Sequence, residues 1–272
     1  MNISISSQGG AMFNRLKFFF KKYRFEIYNK PGKWMNAEDL KNLQNRIKII
    51  AASKLGKSPT FSFFKDVTYL DNKMIVICSR KETSEDLCCC VMSHLGKYKG
   101  SNIIHLGAVY SISENRGLMQ LVYIFGLLYV FIKNWLFKRV YLTSLTHTPK
   151  IFGVVNECFE NVYPNLDPHS TPSEIHITLK KIFHQTYLKE WEHKILPRIN
   201  KNFVIERFRV QDDGSILYPD TINTVPKHRN EEYNKRCLSL IDVERGDEIF
   251  QAAETLGIFT IVKNSRLFAK AT

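Results

Sequence analysis

The stretch Ser101–Pro164 reads SNIIHLGAVYSISENRGLMQLVYIFGLLYVFIKNWLFKRVYLTSLTHTPKIFGVVNECFENVYP. Its first part is β-branched and apolar and is too short for a buried helix, so it predicts a strand. The turn Glu114–Gly117 is polar and ends in a glycine, where the backbone can approach a ligand. The apolar run Leu118–Phe137 then predicts a long helix that is covered nearly all round, and a further strand and helix follow it.

The turn before this helix is a candidate anion site. A strand, a glycine turn and a helix in that order leave unpaired N–H groups at the start of the helix, and Arg116 adds a positive charge. The sequence therefore predicts that a phosphate-bearing ligand binds at this turn.

The same unit resembles the acyl-CoA-binding core of the GCN5-related N-acetyltransferases. In that family a strand runs into a turn of the form Gln/Arg-x-x-Gly-x-Gly/Ala at the head of a helix. The corresponding residues are Glu114, Asn115, Arg116, Gly117, Leu118 and Met119. Arg116 and Gly117 fit the pattern, whereas Glu114 and Met119 depart from it.

The resemblance covers roughly residues 36 to 164 and implies both a fold and a donor. It implies an α+β fold with a mixed, mostly antiparallel sheet flanked by helices. The turn would hold the pyrophosphate of coenzyme A, and strand amides near Val109 and Ser111 would polarise the thioester carbonyl. The donor would be acyl-CoA or the thioester of an acidic acyl carrier protein, with no metal.

The domain organisation follows from the same comparison. We expect a flexible tail over residues 1–12 and an acyl-CoA-binding core over 13–164. Residues 165–272 would add a helical insertion and the closing strands of the same domain. The insertion is predicted as a helix over Thr171–Leu196, followed by a hairpin between Phe203 and Tyr218.

Two histidines are candidate catalytic residues. In the family, the helix after the next strand often carries a tyrosine that protonates the departing thiolate, but Phe152 stands there. His105 lies on the predicted strand before the Arg-Gly turn, and His147 lies at the end of the following strand. A neutral imidazole can deprotonate an amine near pH 7. Each ring could equally be a packed or capping residue.

The charge of the chain favours an acidic partner. Its 272 residues carry a formal net charge of +13, and the hydrophobic content of 44% excludes a disordered chain. The excess of positive charge suits a nucleotide cofactor, an acidic carrier protein, nucleic acid or an anionic membrane. A basic surface that only keeps the protein soluble is the remaining alternative.

Two apolar segments raise the question of a membrane. The stretch Phe13–Phe25 interleaves aromatic residues with cations, so it is either a first strand or helix packed on the core or a contact with an anionic membrane or a nucleic acid. Leu118–Phe137 is long enough to span a bilayer. We expect no transmembrane span, because Gln120 and Lys133 interrupt the run and a strand follows it.

Six cysteines lie in the chain, three of them consecutive at Cys88–Cys90 on a strand-like run where neighbours point to opposite faces. They have no spacing typical of a metal site or a disulfide framework. We therefore expect buried, reduced thiols, a reducing compartment and a cytoplasmic location.

Two functions remain open from the sequence. The first is an N-acyltransferase that moves an acyl group from the thioester to an amine. The second is a non-catalytic module of the same fold that binds an acidic protein, nucleic acid or a membrane surface.

Overall fold

The structure is a computed structural model of the chain, and it describes residues 3–4, 14–56, 66–112, 117–190, 197–211 and 214–263. The strands are β1 (Ile3–Ser4), β2 (Arg15–Phe20), β3 (Tyr23–Asn29), β4 (Lys73–Arg80), β5 (Asp86–Tyr98), β6 (Ser101–Leu106), β7 (Val109–Ser111), β8 (Val140–Thr146), β9 (Glu160–Tyr163), β10 (Val204–Ile205) and β11 (Glu248–Thr255). The helices are α1 (Ala37–Leu55), α2 (Leu118–Lys133), α3 (Pro149–Cys158), α4 (Glu174–Thr186), α5 (Glu231–Leu240) and α6 (Ile258–Lys263).

The chain divides into two compact units. The first contains the described residues of 1–94, 106–138 and 257–272, and the second contains those of 95–105 and 139–256. These boundaries differ from the predicted division at residues 12 and 164, which concerned a family core and its additions and stays a prediction.

The first unit is an antiparallel sheet between two helices. Its strands follow the order β1, β2, β3, β4, β5, and β7 pairs with β5. Helix α2 lies close to one face, because a Cβ placed on Gly126 would meet the side chains of Met92 and Val76. Helix α1 covers the other face, where its Arg46 reaches Glu26 of β3.

The cysteine run confirms the predicted alternation. Cys88 and Cys90 pair with Cys78 and Val76 on the face that α2 covers, and Cys89 points to the face of α1. All three thiols are buried, and burial raises the pKa of each thiol well above its usual value. They are therefore small apolar packing groups and not nucleophiles.

In the second unit, β11 is the central strand. It pairs antiparallel with β8 in the register Thr146↔Ile249 to Val140↔Thr255, and it also pairs with β9 and β10. Strand β6 lies next to β8. Within residues 165–272, where the sequence predicts the closing strands, the strands are the short β10 and the longer β11.

Two hydrophobic cores lie on opposite faces of β11. Phe250 belongs to the core beneath α4, together with Leu179 and Phe183. The preceding residue, Ile249, belongs to the core beneath α3 and α5, together with Phe152. Successive strand residues point to opposite faces, so one strand supports both cores.

Several predicted elements change in extent. Helix α2 ends at Lys133 and not at Phe137, because Asn134 caps it and Trp135 takes a positive φ of 62°. The expectation that this run is covered all round is wrong at its end, since Trp135 is 87% exposed and Phe137 is 67% exposed. Among the described residues, no helix is long and apolar enough to cross a membrane.

Residues Val67–Leu70 form a 3-10 turn, whose start is capped by the Asp66 carboxylate accepting a hydrogen bond from the amide of Thr68. The predicted helix over Thr171–Leu196 is the shorter α4, and residues 191–196 lie outside the described residues.

The predicted hairpin over 203–218 is reduced to an isolated bridge between Val210 and Ile216. Val204 and Ile205 pair with β11 instead of completing this hairpin.

Candidate functional site

The strand that precedes α2 is interrupted before it reaches the helix. Strand β6 ends at Leu106, and β7 begins at Val109. At the interruption, the hydroxyl of Tyr123 in α2 donates to the Gly107 carbonyl, and the Ala108 carbonyl accepts from Val91. Such interruptions bend a strand and expose its backbone, and they are frequent next to active sites.

Strand β7 is the edge of the first unit's sheet. The amide of Val91 donates to Ala108 and the amide of Ile112 donates to Leu87. In an antiparallel ladder these positions alternate with positions that do not bond to the neighbouring strand. The backbone N–H groups of Val109 and Ser111 therefore point away from β5.

Helix α2 begins at Leu118 with a backbone suited to an anion. Gly117 is its N-cap with a positive φ of 99°, and it offers no side chain to cap the first amides. Leu118 is buried and Met119 is 36% exposed, so the departure at Met119 leaves a side chain at the surface. The predicted phosphate-binding residues Glu114, Asn115 and Arg116 lie outside the described residues.

His105 lies in a closed aromatic environment in the second unit. Its side chain is 1% exposed, and Nδ1 lies 3.0 Å from the Thr143 hydroxyl on β8. The ring packs against Tyr187 and Phe183, with centroid distances of 4.2 Å and 4.9 Å. These two rings come from α4 and the residue after it, so the C-terminal insertion encloses the histidine.

His147 has a carboxylate at each ring nitrogen. Its Nε2 lies 2.9 Å from Oδ2 of Asp220, and its Nδ1 lies 3.4 Å from Oε1 of Glu248. Glu248 begins β11 and is 9% exposed, whereas the side chain of Asp220 is 28% exposed. An imidazole with a proton on each nitrogen can donate to both carboxylates. An imidazole with one proton can donate to only one of them.

A buried arginine holds the loop that brings Asp220 to His147. The guanidinium of Arg209 donates to the backbone carbonyls of Leu217, Tyr218 and Val243. The Tyr218 ring stacks on His147 at 6.1 Å, and the Asp220 amide donates to the Tyr218 carbonyl. Burial lowers the pKa of Arg209, although the neighbouring carboxylates oppose the shift. Arg209 is thus a positioning residue for this cluster.

The structure brings some of the predicted residues together and leaves others apart. Val109, Ser111, Gly117, Leu118 and Met119 follow one another on the first unit. Both histidines belong to the second unit, but they do not form a pair. His105 bonds to Thr143, four residues before His147, and a strand of that length spans about 13 Å.

Sequence reasoning missed the partners of His147. Asp220 and Glu248 lie 73 and 101 residues from His147 along the chain. Arg209, whose pKa responds to both carboxylates, is also distant from His147 in sequence. No local spacing connects these residues, and only the pairing of β8 with β11 brings Glu248 to the end of β8.

Phe152 is the residue that the sequence resemblance aligns with a thiolate-protonating tyrosine. It is fully buried and packs edge-on against Tyr233 in the core beneath α3 and α5.

No group of three His, Cys, Asp or Glu side chains within the described part of the chain could hold a metal ion.

Comparison with known proteins gives structural neighbours but no sequence relatives. No protein-family model matches the chain, and no curated protein matches it. A ribosomal-protein-S5-alanine acetyltransferase from Vibrio fischeri aligns over 87% of this chain and 94% of its own, with 7% identity and a TM-score of 0.36. Arabidopsis thaliana NAA60, solved in complex with a bisubstrate analogue, aligns over 86% and 99%, with 10% identity and a TM-score of 0.35.

A third neighbour is described as a possible acetyltransferase from Clostridium difficile 630. It aligns over 41% of this chain and 70% of its own, with 17% identity and a TM-score of 0.26. All three neighbours are acetyltransferases by name. At these scores the likeness adds nothing to the argument from the site. The predicted α+β class, with mostly antiparallel strands flanked by helices, is confirmed by the strand pairings themselves.

Proposed function

We propose that the protein is an N-acyltransferase that moves an acyl group from coenzyme A to an amine. The observations that carry the proposal are the edge of β7, where the Val109 amide points away from β5, and the glycine cap at the start of α2. An edge strand can hydrogen-bond an extended ligand along its backbone. The amides after Gly117 can receive the phosphates of the same ligand.

The reaction needs few groups from the protein. The amine nitrogen attacks the thioester carbonyl carbon, the carbon–sulfur bond breaks, and the proton lost by the amine balances the one gained by the thiolate. An amide at Val109 or Ser111 stabilises the negative charge that develops on the carbonyl oxygen. The candidates from the sequence for the group that accepts the amine proton are His105 and His147. The remaining rate enhancement comes from holding donor and acceptor together.

The test removes one outward amide without breaking the sheet. Val109→Pro deletes the N–H that points away from β5, and proline is tolerated at such edge positions. Val109→Ala is the matched control, since it shortens the side chain and keeps the amide. We expect Val109→Pro to lose on the order of a hundredfold or more in thiol release from acyl-CoA, and Val109→Ala to stay close to the parent.

Binding separates the donor site from the chemistry. The stabilisation of the protein by coenzyme A in a thermal-shift experiment should fall in Val109→Pro and persist in Val109→Ala. Equal stabilisation in both variants would place the donor elsewhere. Acyl carrier protein thioester, offered in place of acyl-CoA, decides between the two donors.

A non-catalytic module of the same fold is the second candidate. The burial of Phe152 favours it, because the position of the family's general acid is occupied by a core side chain. The absence of thiol release with polyamine, peptide and amino-acid acceptors, in a protein that still binds coenzyme A, would support this second function and exclude the first.

A further inference from the structure

Four strongly exposed apolar side chains of the described chain lie at the C-terminal end of α2 and in the segments beside it. Trp135 is 87% exposed, Phe137 67%, Phe259 56% and Ile132 55%. We call these four residues the apolar ridge. Every exposed Trp or Phe side chain among the described residues belongs to the apolar ridge. Isolated exposed apolar residues are normal, whereas a continuous patch marks an interaction surface.

The ridge is built by the backbone and is not a fraying terminus. The Lys138 amide donates to the Trp135 carbonyl and closes a tight turn after α2. The Ile258 amide donates to the Leu136 carbonyl at 2.8 Å, which fixes α6 beside this turn. The rings of Phe137 and Phe259 then lie 5.4 Å apart. The aromatic side chains are therefore held outward together.

The charged side chains on the segments that form the ridge are positive, and the nearest acid along the chain, Glu254, is paired with Arg139. Residues 118–139 and 257–272 contain no Asp or Glu. Lys133, Lys138 and Lys263 are exposed beside the ridge. Burial and then the charges of Lys30, Lys133, Lys33 and Lys73 lower the pKa of His94 to about 3, so Lys133 belongs to a wider cationic field.

From these observations we propose that the apolar ridge docks the protein on an anionic phospholipid surface. Tryptophan and phenylalanine partition to the boundary between headgroups and acyl chains, and lysines beside them attract anionic headgroups. A protein partner fits this surface less well, because lysine is depleted at protein interfaces. The inference is independent of the proposed acyl transfer.

The ridge also replaces the stretch that the sequence suggested for this contact. Phe18 and Phe25 are buried, and their rings pack with Phe125 of α2. Phe19 and Phe20 are only half-buried, but neither reaches the exposure of the ridge.

The first experiment is flotation with vesicles of phosphatidylcholine alone and of phosphatidylcholine with phosphatidylglycerol. We expect the protein to float only with the anionic vesicles. The double variant Trp135→Ser, Phe137→Ser should lower the partition coefficient by about a hundredfold. Ile49→Ser, Ile222→Ser is the matched control, because these side chains are 59% and 54% exposed on other surfaces.

The second experiment separates local charge from net charge. Lys138→Glu, Lys263→Glu and the control Lys41→Glu, Lys54→Glu change the net charge of the protein equally, and all four lysines are exposed. We expect the first pair to lose at least about thirtyfold in binding to anionic vesicles, from roughly fivefold per lysine, and the control to lose much less. Equal losses in both pairs would show that the overall charge of the protein, and not the lysines beside the ridge, causes the binding. That result would contradict the proposal.

Tryptophan fluorescence reports the depth of contact. Anionic vesicles should shift the emission of the parent to the blue, and Trp135→Phe should abolish the shift. Binding that survives in the Trp135→Ser, Phe137→Ser variant, or that is lost in Phe19→Ser, Phe20→Ser instead, would overturn the proposal. So would a parent dimer that this ridge variant converts to a monomer, because the ridge would then be a surface for a second copy of the chain.

Discussion

Each compact unit holds a buried carboxylate on a strand, but the two carboxylates have different cations. Glu26 on β3 is 4% exposed and lies within 3.3 Å of Arg15, Arg24 and Arg46. Glu248 on β11 is 9% exposed and faces His147, which also contacts Asp220. Arginine keeps its charge at every pH at which a protein is folded, whereas histidine can gain or lose a proton.

The difference separates a structural network from a chemical one. Burial acts to raise the pKa of Glu26, but the charge of Arg46, the hydrogen bond from Tyr28 and the charge of Arg24 outweigh it and lower the pKa to about 2. That carboxylate has no proton to exchange near neutral pH. The His147 cluster places an imidazole between two carboxylates, so the second unit holds a candidate proton acceptor, whereas the network around Glu26 serves stability.

The largest expected effect tests the structural network. Arg46 donates to both oxygens of Asp86, at 2.7 Å and 2.8 Å, and also reaches Glu26. Arg46→Ala would leave two carboxylates without their main cation and should lower the free energy of unfolding by about 4 kcal/mol. Urea denaturation measures the change.

The control is Arg80→Ala, which breaks the exposed pair of Arg80 with Glu85. Such a pair contributes less than about 1 kcal/mol. A similar loss in both variants would show that the network around Glu26 is no stronger than a surface ion pair.

The second prediction concerns the pH dependence of stability. The pKa of Glu26 falls on folding from 4.5 to about 2, so the unfolded chain binds more protons between these values. The stabilisation is fully present above about pH 4.5 and is lost as the pH falls through about 2, for a total of about 3 kcal/mol.

Glu26→Gln should therefore flatten the acid limb of a plot of unfolding free energy against pH, while a plot near neutral pH keeps its shape. Parallel acid limbs in the parent and the variant would contradict the assignment of the lowered pKa to Glu26.

The elements that the sequence predicted correctly have local signals. Asn36 caps α1 by accepting from the amide of Asp39, and Gly56 ends the helix with a positive φ. Thr148 accepts from the amide of Ile151, and Pro149 is the first residue of α3. Caps depend on residues within a few positions of one another, and for that reason they can be read from a sequence.

The parts that could not be predicted depend on distant residues. The composition of 118–137 is mostly apolar, and nothing in it shows that Trp135 turns outward. His105 is enclosed by Phe183 and Tyr187, which come from an insertion with no assigned contacts in the sequence. The histidines were found by residue type and position on a strand, whereas their partners needed the strand pairing.

The third prediction tests the chemical network. If His147 accepts the amine proton, His147→Ala should lower the rate of thiol release by on the order of a hundredfold, and the increase of the parent's rate with pH should disappear. Asp220→Asn keeps the shape of the loop and removes one charge beside the ring, so it should change the pH profile more than the binding of coenzyme A.

His105 is the alternative base, and His105→Ala is the comparison variant. A loss in His105→Ala alone would move the base to the aromatic enclosure beside Thr143. Full activity in both histidine variants would leave proximity as the source of catalysis.

The smallest effect concerns Phe152. Phe152→Tyr would place a hydroxyl in the core beneath α3 and α5, where the ring is fully buried. A buried hydroxyl without a partner costs about 1 to 2 kcal/mol of stability. The same change at Phe159, which is half-buried at the end of α3, lets the hydroxyl reach water and should be nearly neutral. Because the Phe152 ring faces this core, the new tyrosine should not accelerate thiol release. An acceleration in Phe152→Tyr but not in Phe159→Tyr would show that position 152 faces the donor. Proton transfer could then not be assigned to His105 and His147 alone.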